Sequence, residues 1–259
     1  MLEWSLIKLE LTDVKGLGMA INALILAAGF GTRLRPLTLH TPKCLVEIAG
    51  LPLLEYWLQK LEKVGCKTVV INTHHLHEQI EEYIKKRSSN LLEIICTYEQ
   101  ELLGTARTLL ENKCYFKQGT NLLLHGDNAT DVNLGNFLRA HKIRPAECSL
   151  SMMTFTSNEP EKCGIVEVNK NGVVQEFHEK VSNPPNNQAN AAIYAFDPDF
   201  VSRLESKEKQ YKDFSLDVLP RFVGEIYAWP CNARVIDIGT PQNLEMARKL
   251  WSNVDMNKS

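Results

Sequence analysis

The chain has 259 residues, 44% hydrophobic and 23% charged, with 29 Lys and Arg against 31 Asp and Glu for a formal charge of −2. That is ordinary globular composition with ample core; the balanced charge excludes a generally basic nucleic-acid surface and an acidic disordered tail, and no apolar run approaches the roughly 20 residues of a membrane helix. The seven cysteines are odd in number and form no C-x-x-C pair, so they read as free thiols of a cytoplasmic protein, with neither a disulfide framework nor a zinc site.

Residues 1–18 carry Glu3, Lys8, Glu10, Asp13 and Lys15, which interrupt any signal-peptide core. They read as an N-terminal extension without fixed structure, or as an extra docked segment, ahead of a single domain over 19–259 in which Met19 serves as a natural start. Residues 22–27 form a short apolar run ending in a glycine loop, a buried strand. Residues 52–64 place Leu53, Leu54, Trp57, Leu58 and Leu61 at helical spacing before Gly65. A strand at 68–71, a helix at 76–87, a strand at 92–97, a helix from about Thr105 and a strand at 121–124 follow. This alternation predicts an α/β fold with a doubly wound, mostly parallel sheet and helices on both faces. Past Gly164 the period changes: 165–168, an Asn171-Gly172 turn and 173–177 predict a β-hairpin inserted into a mixed sheet. Strands at 191–196 and 234–238 precede a last helix with Thr240 as its cap and Pro241 in its first turn. Pro184-Pro185-Asn186-Asn187 reads as an exposed loop.

The loop after the first strand reads Ala27-Ala28-Gly29-Phe30-Gly31-Thr32-Arg33-Leu34-Arg35-Pro36. Two glycines at spacing two allow a tight turn whose N–H groups point at phosphate oxygens. A bare G-x-G also serves ordinary β–α turns. The third glycine of the dinucleotide fingerprint is absent, with Leu34 in its place, and there is no G-K-[ST]. The loop lies at the carboxyl end of a strand, where open α/β sheets bind ligands. His74, His75 and His77 read as solvated helix-start residues rather than a metal cluster. Cys44 stands beside Lys43, which would lower its pKa.

The string from Gly29 through Thr41-Pro42-Lys43-Cys44-Leu45 to Gly50-Leu51-Pro52-Leu53 resembles the N-terminal signature of the sugar-1-phosphate nucleotidyltransferases. Later motifs follow in order from Met19 to Lys249, and the likeness is strongest to mannose-1-phosphate guanylyltransferases without a C-terminal β-helix domain, since no hexapeptide repeats follow Asp237. The resemblance implies a Rossmann-like nucleotidyltransferase fold whose hairpin carries the sugar site. It implies a nucleotide site at Leu26, Ala27, Ala28, Gly29, Gly31, Thr32, Arg33, Lys43, Glu99, Gly104, Thr105 and Asp127. Arg33, Lys43, Asp127 and Lys180 become the catalytic group, and Asn128, Gly164, Glu179 and Asn190 the sugar-binding group. Asp127 and Asp237 become the ligands of Mg²⁺, which suits a triphosphate substrate because it takes one or two carboxylates plus phosphate oxygens. By itself, Asp127 in Gly126-Asp127-Asn128 would be a turn residue, and Lys180 a solvated strand end. The chain departs from the pattern at Val181, where the family has proline in E-K-P, at Ala192, where it has glycine in N-A-G-I-Y, and at Leu102, where it has proline before L-G-T-A.

The implied reaction joins a nucleoside triphosphate to a sugar-1-phosphate and releases pyrophosphate. The partners are those two small molecules, with no nucleic acid and no membrane; the sequence leaves the oligomeric state unknown. Glu99, five residues before Gly104, favours GTP, because guanine presents two donors that a carboxylate accepts. Two alternatives stand: a UTP-dependent enzyme acting on an amino sugar phosphate such as N-acetylmuramate 1-phosphate, and a silent regulatory subunit that binds a nucleotide sugar.

Overall fold

The computed structural model of the protein describes residues 20–206 and 211–252. The expected N-terminal extension at 1–18 lies outside these residues.

Strands β1 (Ile21–Leu26), β4 (Thr68–Thr73), β5 (Glu93–Tyr98) and β6 (Thr120–His125) form a parallel block in the order β6-β1-β4-β5. Their period-2 alternation divides the core. Ile21, Ala23 and Ile25 face helices α1 (Leu53–Lys63), α2 (His77–Lys86) and α4 (Leu134–Lys142). Leu24, Val70 and Leu123 face α3 (Thr105–Glu111), α5 (Pro198–Ser206) and a π-helical turn at Phe214–Val218. Both faces are covered, which is why the central strands read as unbroken apolar runs. The stripe Leu53, Leu54, Trp57, Leu58 and Leu61 is the buried side of α1, as its spacing predicts; each such side chain contributes about 1.5–3 kcal/mol when fully buried.

Beyond β6 the sheet turns antiparallel. Strand β11 (Gln188–Phe196) pairs with β6 and also with β8 (Leu150–Thr156), which takes β12 (Ile226–Pro230) in parallel on its other side. The expected hairpin is β9 (Gly164–Val168) and β10 (Val174–Glu179), joined to the sheet through Ile165 and Ala189. The result is a nine-stranded mixed sheet. Helix α4, strand β8, helix α5 and strand β12 are additions to the elements predicted above.

Two short ribbons complete the fold: β2 (Glu47–Ile48) with β3 (Leu51–Pro52), and β7 (Asn128–Thr130) with β13 (Val235–Asp237). Helix α6 (Pro241–Ser252) packs Leu244, Ala247 and Trp251 against Val46, Ile48, Ala129 and Ile238. The Asn243 N–H bonds the Thr240 hydroxyl at 3.2 Å, the expected cap.

Candidate active site

The β7–β13 ribbon makes two distant aspartates neighbours. Asp237 pairs with Asn128, and the Ile238 N–H donates to the Asp127 carbonyl at 3.0 Å. Their carboxylates converge on one ammonium: Lys43 Nζ stands 2.5 Å from Asp127 Oδ2 and 2.9 Å from Asp237 Oδ1. Lys43 reaches this point from a short turn, Lys43–Leu45, and its side chain is only 10% exposed. Burial, the largest single influence, acts to raise the Asp127 carboxyl, but the Lys43 charge, the nearby His125 and the hydrogen bonds from Lys43 and the backbone together outweigh it and hold the group below the usual carboxylate range. Arg33 Nη2 lies 3.6 Å from Asp237 Oδ2 on a side chain turned outward to solvent. Gly239 closes the group. A Cβ there would stand 2.7 Å from Arg33 Nη2, 2.9 Å from Asp237 Oδ1 and 3.0 Å from Lys43 Nζ, so a side chain would collide with the charges.

The glycine loop adjoins this group. Gly31 adopts φ +60, a left-handed conformation that suits glycine. It opens the turn Thr32–Leu34, and the Thr38 hydroxyl donates to its carbonyl at 2.7 Å. Between loop and β6 lies a cavity of about 240 Å³ lined by Leu26, Ala28, Gly29, Glu99, Gly104, Thr105 and Asp127, together with Asn72, Leu102, Thr108 and His125. Seven of the nucleotide-site residues thus share one wall. Ala27 is not in this lining but is tied to it, its N–H donating to Asn72 Oδ1 at 2.7 Å.

Glu99 is buried, and its carboxylate is largely spoken for. Oε1 accepts from Asn72 Nδ2 at 2.8 Å and from the Thr108 hydroxyl at 2.5 Å, and Oε2 accepts from the Leu103 N–H at 3.1 Å. A carboxylate offers about four acceptor positions, so one on Oε2 stays open. Asn72 and Thr108 did not stand out in the sequence. The signal for Asn72 is a polar residue closing the apolar run of β4.

The sugar-group residues gather along β11 and the hairpin. Asn128 Nδ2 donates to the Ala191 carbonyl at 3.0 Å, tying the segment beside Asp127 to β11. Asn190 Nδ2 donates to the Tyr194 hydroxyl at 2.7 Å and its Oδ1 accepts from the Ala192 N–H at 2.9 Å, across an irregularity in the β11–β8 register. Ala192 takes φ +53 there. Gly164 pairs with Glu179; a Cβ on it would meet Glu179 Oε2 at 2.6 Å and Phe177 Cζ at 2.7 Å, so its missing side chain makes room for those two residues. Lys180 has φ +52 and an exposed ammonium 3.2 Å from Glu179 Oε1.

Two expectations need correction. Cys44 is buried, and loss of water pushes its thiol up to about 12, so the neighbouring lysine does not activate it. The three histidines are half-buried rather than solvated: His74 Nδ1 contacts the Glu99 carbonyl at 2.7 Å and His75 Nε2 the Thr38 carbonyl at 2.9 Å, while Phe30 packs edge-on against His74 and Tyr98 against His77. They fasten the glycine loop to β4 and β5. Among the described residues, three possible metal ligands also meet away from the cleft, on the hairpin. There His178 Nε2 hydrogen-bonds Glu167 at 2.9 Å and lies 3.4 Å from Glu176.

A family model described as nucleotidyl transferase matches residues 22–253. The mannose-1-phosphate guanylyltransferase catalytic subunit beta of Drosophila melanogaster is 34% identical over 87% of this chain, and mannose-1-phosphate guanylyltransferase 1 of Arabidopsis thaliana is 31% identical over 89%. The chain spans 61% and 64% of the length of these curated relatives. A sucrose-bound structure from Bacillus anthracis superposes with a TM-score of 0.80 at 17% identity, covering 92% of this chain and 98% of that one. HddC from Yersinia pseudotuberculosis, solved in complex with GMP-PN, does so with a TM-score of 0.72 at 22% identity, covering 89% and 99%. Among the described residues, no helix is long and apolar enough to cross a membrane.

Proposed function

The chain belongs to the nucleotidyl transferase family, and on that premise we propose that it transfers a nucleoside monophosphate from GTP to a mannose-like hexose 1-phosphate, releasing pyrophosphate. The observation that carries the reading is the meeting of Arg33, Lys43, Asp127 and Asp237 beside the glycine-loop cavity. The names of the Drosophila and Arabidopsis relatives support GTP and mannose 1-phosphate.

An oxygen of the sugar phosphate attacks the α-phosphorus as the bond to the bridging β-phosphate oxygen breaks. The nucleophile is already an anion, so no general base is needed, and catalysis is positioning plus charge neutralisation. Arg33 and Lys43 hold the departing pyrophosphate. Glu179 and Asn190 orient the sugar, and Lys180 offsets repulsion between the two phosphates. Two carboxylate oxygens within 2.9 Å of a single cation are the hard donor set that suits Mg²⁺. Asp127 and Asp237 would hold the ion, which when bound supplies positive charge to the phosphate oxygens. Glu99 offers its open acceptor position to one guanine donor, and the 100–104 loop, which includes Glu101, takes the other. The free thiols suit a reducing compartment, and we place the protein in the cytoplasm.

The test is pyrophosphate release with each of the four ribonucleoside triphosphates and dTTP, crossed with a panel of sugar 1-phosphates. GTP with mannose 1-phosphate should be among the best pairs. Preference for UTP with an amino sugar phosphate would replace the substrate assignment, and no release with any pair would overturn the transferase reading.

A further inference from the structure

We propose that Lys43 is a resident cation that holds Asp127 and Asp237 together in the ligand-free protein and is exchanged for a divalent ion only when a triphosphate arrives. The proposal rests on reading this cleft as a metal-dependent nucleotidyl transfer site. Its consequence is a linkage: the free protein takes up metal poorly, and metal and nucleotide enter as a pair.

The geometry is specific. One ammonium, 2.5 Å from Asp127 Oδ2 and 2.9 Å from Asp237 Oδ1, occupies the point where the two carboxylates converge. A divalent ion touching both oxygens would meet that ammonium at contact range, and two cations cannot share the position. Lys43 is also no surface side chain that happens to lean over. It is among the few charged residues counted with the buried ones, and its backbone is fixed in the turn Lys43–Leu45 beside buried Cys44.

Charge leads to the same conclusion. Two carboxylates meet two cations here, Lys43 and Arg33, so an incoming metal ion finds a site whose formal charge is already balanced. Affinity of oxygen-donor sites for hard divalent ions follows the net anionic charge of the ligands. Removing one ammonium leaves the site with a net negative charge. A triphosphate has the same effect by a different route, because it brings anionic oxygens to which Lys43 and Arg33 can re-pair, freeing the carboxylates.

The experiment follows Mn²⁺ as a paramagnetic substitute for Mg²⁺, reading the free-ion signal as protein is added. The wild type, Lys43→Met and Asp127→Asn are each measured alone and with a non-hydrolysable GTP analogue, after subtracting Mn²⁺ held by the analogue itself. Lys43→Met keeps the alkyl stem and removes the charge; Lys43→Gln serves in its place if circular dichroism shows the first variant unfolded. The wild type alone should bind Mn²⁺ weakly and gain about tenfold or more with the analogue. The lysine variant alone should bind about tenfold or more tightly than the wild type alone, and should gain little from the analogue. Equal or weaker metal binding by folded lysine variants, with the wild type still gaining from the analogue through Asp127, would overturn the exchange while leaving the site reading intact. Mn²⁺ uptake that ignores Asp127 in every form would remove the site reading and the proposal together.

Discussion

Replacing Glu99 by Gln exchanges one carboxylate oxygen for an amine in a group that already accepts three hydrogen bonds. If the amide oxygen keeps Asn72 and Thr108, the amine points at the Leu103 N–H, donor against donor. If the amide flips, Leu103 keeps its acceptor and the Thr108 hydroxyl can turn to accept, but Asn72 Nδ2 loses its 2.8 Å bond and is left with only a long, 3.5 Å approach to Thr108. Either way one donor is orphaned, which costs about 1–3 kcal/mol. For a chain of this size that corresponds to a fall in Tm of about 2–12 °C. The base contact weakens as well: with the amide flipped, a charge-assisted bond worth about 1.5–3 kcal/mol becomes a neutral one worth about 0.5–1.5, and with the amine on the Leu103 side the open acceptor is lost altogether. At about 1.4 kcal/mol per tenfold, kcat/KM for GTP should fall by about one order of magnitude, and that for UTP by less. The assay is pyrophosphate release with each triphosphate, paired with a thermal melt of the same preparation. A variant with unchanged Tm and an unchanged GTP-to-UTP ratio would refute both the hydrogen-bond accounting and the placing of the base beside Glu99.

Asp127→Ala should abolish pyrophosphate release while its circular dichroism stays that of the wild type, and EDTA should silence the wild type in the same way; substantial turnover of the variant at ordinary Mg²⁺ would remove the assigned role. Arg87 is almost fully buried between Glu55 and Glu62, bonding them at 2.7–2.9 Å, so Arg87→Met should cost about 3–5 kcal/mol by urea denaturation. Burial, the largest single influence, acts to raise both carboxyls, and the bonds and charge of Arg87, with further bonds from Tyr83 and Gln59 to Glu55 and from Ser89 to Glu62, together outweigh it and hold them low. Their contribution is therefore full above the ordinary carboxylate range and is lost as pH falls through the lower folded values; the gap between wild type and variant should narrow on acidification, and a gap that widens would contradict the pairing. Ala192→Gly should stabilise by about 0.5–1 kcal/mol, the left-handed cost of about 1–2 kcal/mol less the extra freedom of unfolded glycine; a lower urea midpoint would show that the φ of +53 stores no strain.

The parallel half of the sheet was legible because its strands are short and apolar, and β1, β4 and β6 are punctuated by Gly, His or Asp. The antiparallel half was less so. Strand β8 reads Leu-Ser-Met-Met-Thr-Phe-Thr, with mixed polarity, yet Ser151 and Thr154 are as buried as Met152. Strand β12 ends on Pro230, a residue that argues against a strand except at an edge, which is where β12 lies. Helix α4 obeys the usual rules, with Asn133 capping the Asn136 N–H and Leu134, Phe137 and Leu138 on its buried side, but it follows a short ribbon that hides its start. In the cleft, Gly29, Gly31, Arg33 and Lys43 declare themselves because they lie in one contiguous string, and Asp127 and Asp237 because each sits in a short motif of its own. Asn72 does not: its partners are 27 and 45 residues away. A bond across such a distance leaves no spacing pattern to read.

Asn72 touches two systems at once, the glycine-loop backbone at Ala27 through its Oδ1 and Glu99 through its Nδ2. A single planar amide thus works as a rocker between the place where phosphates would lie and the place where a base would be read. On the proposed placement of the base, a displacement of Glu99 by an ill-fitting base would turn that plane and shift the Ala27 N–H on the far side. Discrimination between bases would then emerge in how well the α-phosphorus is aligned, and so in kcat, rather than only in how tightly the nucleotide is held.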